Sequence, residues 1–287
     1  MKTALALIGL LAVAAPAADE PPALADLLVQ VGRYVRGFQV DFATVISDET
    51  YRQRVHLLET IGGSDQTSKA ERTMLSEMLF LWVPEDRGWL TVRNVLRVDR
   101  DPVADSRGRL ERTLADPAPG MVSRMRRLRD ENARFNIGRI QHNFSDPALA
   151  LQFVDPSVQP RFTFTLRGRD NINGLVTWPI AFSERAAPTM ITVDGRNALA
   201  TGMIWATSSG IVIRTRLALT DPTSRLHVEM VVAYGLDAKL GAWVPTRMDE
   251  TYSQTRNGGA TNEEITCSAT YSNFRRFETS ARILPPR

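Results

Sequence analysis

Cysteine occurs once in the 287 residues, at Cys267, so no internal disulfide can form. Histidine occurs three times, at His56, His142 and His227. None of the three has a second ligand-type residue at metal spacing, and neither His-Glu-x-x-His nor a cysteine pair is present, which leaves zinc unsupported. Lysine is as scarce, confined to Lys2, Lys69 and Lys239; the other basic residues are arginines, and the formal net charge is only +3. That is too little positive charge, too dispersed, for a dedicated nucleic-acid binder. The chain also lacks an apolar run of the ~20 residues that a membrane helix needs. It has no Gly-x-Ser-x-Gly elbow and no phosphate-binding glycine loop ahead of a helix. The acidic pairs Asp48-Glu49 and Glu263-Glu264 do not make a catalytic couple, because neighbours on a strand point to opposite faces. No cofactor, metal or catalytic residue is indicated. A hydrolase with a dispersed site would require one of the three histidines to lie beside a serine and a carboxylate in a cleft.

What is present begins at the N-terminus. Met1-Lys-Thr gives a short positive segment, Ala4 to Ala14 an apolar one, and Ala15-Pro-Ala17 a small-x-small cleavage pattern, so residues 1–17 read as a secretory signal peptide. Residues 18–287 then form the mature chain, expected to be a single domain, exported to the periplasm or the medium. A helix is expected over Ala23–Ser47, where Leu24, Leu27, Leu28, Val31, Tyr34, Val35, Phe38, Phe42 and Val45 make one apolar stripe. Strands follow at Tyr51–Ile61, Arg72–Val83 and Gly88–Val98, punctuated by Gly62-Gly63 and Asp86-Arg-Gly88. The second of these also fits a helical spacing, but its aromatic and β-branched end before Pro84 favours a strand.

Between Pro102 and Pro156 the pattern turns helical. Met121 to Arg134 carries Arg124, Arg126, Arg127, Arg129 and Arg134, with Arg126–Asp130 and Arg127–Glu131 at ion-pair spacing. This cluster reads either as a solvated, salt-bridged face or as a patch for anionic head groups or a protein partner. A second short helix is expected over Asp146–Phe153, with Asp146 as N-cap and Pro147 in the first turn. From Arg161 onward the chain reads as an antiparallel meander, with strands at Arg161–Arg167, Gly174–Ser183, Gly202–Ala206, Ile211–Thr220, Leu226–Tyr234, Val244–Tyr252 and Glu264–Phe277. Asp170-Asn-Ile-Asn-Gly174, Ser208-Ser-Gly210 and Arg256-Asn-Gly-Gly259 supply turns. Cys267 shares a strand face with Ile265 and Ala269, which suits a small buried hydrophobe better than a reactive thiol. The fold class expected is α+β and mainly antiparallel β: a strongly curved open sheet, or half-barrel, with an N-terminal helix and a helical insertion.

This order of elements resembles the LolA-like half-barrel superfamily of periplasmic lipoprotein carriers and lipoprotein-sorting proteins. The resemblance rests on the helix, the three strands to Val98, the Pro102–Pro156 insertion, the phrase Gly202-Met-Ile-Trp-Ala-Thr-Ser-Ser-Gly-Ile-Val-Ile-Arg214 and the later Trp243-Val-Pro-Thr-Arg-Met248. Arg134-Phe-Asn-Ile-Gly138 and Tyr271-Ser-Asn-Phe-Arg-Arg-Phe277 are similar to phrases in secreted bacterial proteins with no assigned activity. The resemblance implies that the insertion plugs the mouth of the half-barrel. The concave side could then carry Phe162, Phe164, Trp178, Ile180, Phe182, Trp205, Ile213, Leu217, Val228, Met230 and Val232. Such a groove would hold a hydrophobic small molecule, a lipid or an acylated lipoprotein, with the insertion helices as a movable lid. Two alternatives stay open: a core filled by the protein's own helix and insertion, serving an envelope protein partner or stress-sensing role, and the dispersed hydrolase.

Overall fold

A computed structural model describes residues 20–86, 88–116, 120–142, 146–193 and 195–277. The signal-peptide reading and the Arg87 turn position lie outside the described residues.

Helix α1 spans Leu24–Asp41 and buries Leu27, Val31, Val35 and Phe38, the three-and-four spacing of an amphipathic stripe. It ends six residues before the boundary expected from sequence. Thr44 takes a left-handed turn (φ 59°), and the first strand begins at Val45. Phe42 and Val45 are buried as the stripe required, but Val45 is buried from a strand, so one apolar periodicity ran across two kinds of element.

Strands β1 (Val45–Ile61), β2 (Ser64–Val83), β3 (Gly88–Val98) and the two-residue β4 (Asp101–Pro102) form the first half of the sheet. The insertion contains α2 (Arg109–Ala115), α3 (Met121–Asn132) and α4 (Leu149–Gln152), with a short 3-10 turn at Ala133–Phe135. The second half comprises β5 (Phe162–Leu166), β6 (Asp170–Ile172), β7 (Leu175–Glu184), β8 (Ile191–Val193), β9 (Arg196–Ala206), β10 (Val212–Asp221), β11 (Leu226–Asp237), β12 (Ala242–Arg256) and β13 (Thr261–Arg276). All pairings are antiparallel. The order is β4-β3-β2-β1-β13-β12-β11-β10-β9-β7-β5, with β6 on β7 and β8 on β9, in one open sheet. The last strand returns to pair with the first, Tyr51 opposite Ala269, so the two halves are one continuous surface. This is the α+β, open, curved sheet expected, with β6 and β8 as additional short strands.

The two faces are covered differently. The inner face packs on α1 and α4 in one large core that runs from Val95 on β3 to Phe162 on β5. The outer face of β1–β3 presents Ile46, Leu79, Leu81, Leu90 and Val92 to Leu110 and Leu114 of α2 and Met125 and Leu128 of α3. The insertion is therefore split. Its helices α2 and α3 lie behind the sheet, and the segment from Phe135 onward, which includes α4, crosses to the inner side; this corrects the expectation that its helices as a group plug the mouth. The physical reason lies in β2, where Leu79, Leu81 and Val83 alternate with Met78 and Phe80, so that both faces are apolar and both need cover. The expected Asp146–Phe153 helix is reduced to four residues, with Asp146 Oδ1 accepting the Ala148 N–H at 2.8 Å.

Two glycines bring α1 close. A Cβ on Gly32 would meet Pro156 at 2.6 Å, and one on Gly210, in the β9–β10 turn at φ +87°, would meet the backbone of Gln30 at 2.4 Å. Among the described residues, β2 pairs only with β1 over residues 64–72, since β3 joins it only from Met74.

Candidate functional site

The inner face divides into an apolar wall and a polar end. On the wall, β7 places Trp178, Ile180 and Phe182 on one side by strand alternation, opposite Ala206, Ile204 and Gly202 of β9. β10 adds Leu217 and β11 adds Val228, Met230 and Val232, while Phe162 comes from β5; all are buried in the large core, with Phe164 half-buried against it. Phe153, just after α4, covers this wall, its ring stacked 5.1 Å from Phe162 and edge-on at 5.6 Å to Phe182. Two expected members are placed elsewhere. Trp205 pairs with Pro179 and Arg214, out of phase with Ile204, and so belongs to the outer face, where its Nε1–H donates to Asp170 at 3.0 Å and Arg214 lies over its ring. Ile213 is buried at the β9–β10 bulge and belongs to neither apolar core. The bulge shifts the alternation, so that Val212 faces the inner core.

The polar end lies under β1, β3 and β12. Glu49 is fully buried and accepts two hydrogen bonds from Arg93, at 2.6 and 2.9 Å. The Arg93 guanidinium lies 3.9 Å over the Tyr51 ring. Tyr51 and Tyr252 donate their hydroxyls to the two oxygens of Glu250, at 2.9 and 2.6 Å. Burial raises the Glu250 carboxyl, and these two hydrogen bonds act against the rise. Burial would by itself lower the Arg93 guanidinium, but the Glu49 charge and hydrogen bonds leave it raised, so it stays a cation. Cys267 sits opposite Gln53 and Glu250; burial, then the Glu250 charge, pushes its thiol up, as the reading of a buried, unreactive cysteine requires.

Sequence reading missed this cluster. It began the first strand at Tyr51, whereas Ser47, Glu49, Tyr51, Gln53 and Val55 all occupy one alternating, buried face of β1. A carboxylate in phase with buried apolar residues is the signal that could have found it. Asp48 and Glu49 do point to opposite faces: Asp48 accepts from Asn273 and Arg275.

A cavity of about 240 Å³ reaches the polar end between β3 and the C-terminus of α3, with Arg93 and His142 in its walls. His142 is 1% exposed, and burial lowers its imidazole. His56 and His227 are exposed on strands. Among the described residues no hydrogen bond joins any of the three histidines to a serine; His227 Nδ1 is 3.2 Å from Thr220 Oγ1.

On α3, the arginines are paired in a different pattern from the one spacing suggests. Arg124 meets Asp116, Arg126 meets Asp86 on the β2–β3 turn, Arg129 meets its neighbour Asp130, and Glu131 meets Arg109 of α2. Arg134 lies over the Phe135 ring, and Arg127 is exposed. The cluster largely stitches the back of the molecule together.

No protein-family model and no curated protein matches the chain. Among solved structures the chain is similar to a DUF1329 family protein from Desulfovibrio piger, at 14% identity over 90% of this chain and 95% of that one, with TM-score 0.28. It is also similar to a putative outer membrane lipoprotein-sorting protein domain from Vibrio parahaemolyticus, at 10% identity over 89% and 94%, TM-score 0.29. A third likeness, to lipovitellin in a structure of its lipid–protein interactions, has 8% identity over 84% of this chain and 26% of that one, TM-score 0.31.

Proposed function

We propose that this is an exported, non-enzymatic protein, periplasmic or extracellular, that binds a hydrophobic ligand, a lipid or an acylated lipoprotein, on the apolar wall of its inner face. The observation that supports this reading is how that wall is covered. Among the described residues, residues 136–159 make no backbone-to-backbone hydrogen bond to a strand; the N–H groups of Ile137 and Arg139 are held instead by the side chains of Gln53 and Glu263, at 3.1 and 2.6 Å. The attachments are side chains: Tyr234 Oη donates to Pro147 O at 2.6 Å, Gln53 and Arg72 donate to Phe135 O, and Arg139 pairs with Glu59. A cover held this way can leave without breaking the sheet. Each aliphatic or aromatic side chain it uncovers is worth about 1.5–3 kcal/mol of burial, which an acyl chain can restore. The cover that moves is the α4 segment with α1; α2 and α3 stay on the outer face.

Brominated fatty acids quench tryptophan on contact, which makes the two faces distinguishable. Saturable quenching is expected, largely lost in Trp178→Phe and retained in Trp205→Phe. Equal loss in both variants, or no saturable quenching, refutes the assignment of the wall. A permanently filled core that serves a protein partner is the second reading. It draws on the free edge of β2 at residues 64–72, whose unpaired backbone groups could take a partner strand. Absent quenching with retained fold would favour it.

A further inference from the structure

We propose that the cavity between Arg93 and His142 is a binding site for a small, neutral, polyhydroxylated molecule: a polyol or a single sugar ring. The inference does not rest on the acyl-chain reading, since the cavity lies at the polar end of the inner face.

The hydrogen-bonding groups set the chemistry. His142 Nε2 lies 3.0 Å from the carbonyl oxygen of Ile137, which can only accept, so Nε2 carries the proton. Burial lowers the imidazole, which favours the neutral ring, and in that ring Nδ1 is an acceptor. It is buried and has no hydrogen-bond partner among the described residues. Arg93 spends Nε and Nη2 on Glu49, while Nη1 makes no hydrogen bond among the described residues. The ligand must therefore donate to one wall and accept from the other. Hydroxyl groups do both, and adjacent hydroxyls on a short carbon chain do so side by side. Thr91 adds a further hydroxyl to the lining, and Met78 an apolar surface for C–H groups.

Charge and size narrow the class. Arg93 is neutralised by Glu49, and Arg129, at the rim, by Asp130. No net charge is left to recruit an ion, and the Glu49 carboxylate behind Arg93 opposes a second anion. The cavity, about 240 Å³, falls below the roughly 300 Å³ at which drug-sized ligand pockets begin. An acyl chain with its head group does not fit it; glycerol or one sugar ring does.

With three histidines in the chain, imidazole nitrogen NMR reads the site directly. Titration of ¹⁵N-histidine-labelled protein with glycerol or glucose should move the His142 Nδ1 resonance saturably and leave those of His56 and His227 in place. Inorganic phosphate should leave all three unmoved. Ala133→Leu extends a half-buried side chain into the cavity from the end of α3 without removing a polar group, and should weaken the response at least tenfold. An unchanged His227 resonance and thermal unfolding curve would show that this variant is folded. The proposal is overturned if neither polyol gives a saturable shift, if phosphate gives one instead, or if the response in Ala133→Leu equals that of the native chain.

Discussion

Replacing Glu49 by glutamine lowers the free energy of unfolding by about 3–5 kcal/mol, because it leaves the Arg93 guanidinium buried without its counter-charge. Both partners are well inside, Glu49 with its side chain fully buried and Arg93 with 12% of its side chain exposed, so solvent screening does little to soften the loss. Arg93→Met produces a comparable drop from the other side, by leaving the Glu49 carboxylate buried without its partner. The double variant Glu49→Met with Arg93→Met recovers much of the stability, since a buried ion pair replaced by apolar groups of similar volume is often close to neutral. Chemical denaturation of the native, Glu49→Gln, Arg93→Met and double-variant proteins measures these differences. A Glu49→Gln protein within 1 kcal/mol of the native one would mean that the pair is hydrated and the polar end is not a closed cluster.

The second large effect is in pH. Asp146 lies at the start of the α4 segment, buried, and burial raises its carboxyl to about 7 against the Ala148 N–H bond, which pulls it down. The phenols of Tyr234 and Tyr271 are its titratable neighbours, and both are pushed up, chiefly by burial. A carboxyl raised from 3.8 in the unfolded chain binds its proton more tightly when folded. Its stabilising contribution is full below pH ~4 and is lost as pH rises to about 7, for a total of roughly 4 kcal/mol. Asp146→Asn keeps the hydrogen-bond acceptor and removes the titration. The difference in unfolding free energy between the two proteins should therefore change by that amount between pH 4 and pH 8, with the variant relatively more stable at the alkaline end. A constant difference across this range would show that Asp146 is solvated. On the proposed function, in which the α4 segment is the movable cover, ionisation of Asp146 would also favour an open inner face.

The sheet could be read from the sequence wherever one face is buried and the other wet. Ile265 to Tyr271 alternates in letters and in burial, and the hairpins at Asn173-Gly174, Gly210 and Asn257-Gly258-Gly259 fall where positive φ was required. Reading failed at the two ends of this condition. Residues 64–71 of β2 are exposed on both faces and carry no period, so the strand seemed to start at Arg72. The other half of β2 is buried on both faces and hid the fact that the insertion must serve two sides. For the apolar wall, strand phase was legible on β7 and β11, but the bulge between Val212 and Arg214 and the phase of β9 were not, which is why Ile213 and Trp205 were misplaced. The polar end was invisible because its members are far apart in sequence: Glu49, Arg93 and Glu250 meet only through the β3-β2-β1-β13-β12 order.

The central claim is that the inner face carries an acyl ligand once its cover moves. Native mass spectrometry of the mature chain, purified from a periplasm without detergent and then offered lipids and lipopeptides, tests it most directly. A heavier species that releases a lipid or an acylated molecule on denaturation is expected. A clean mass for the bare chain, unchanged after every such ligand has been offered, would contradict it.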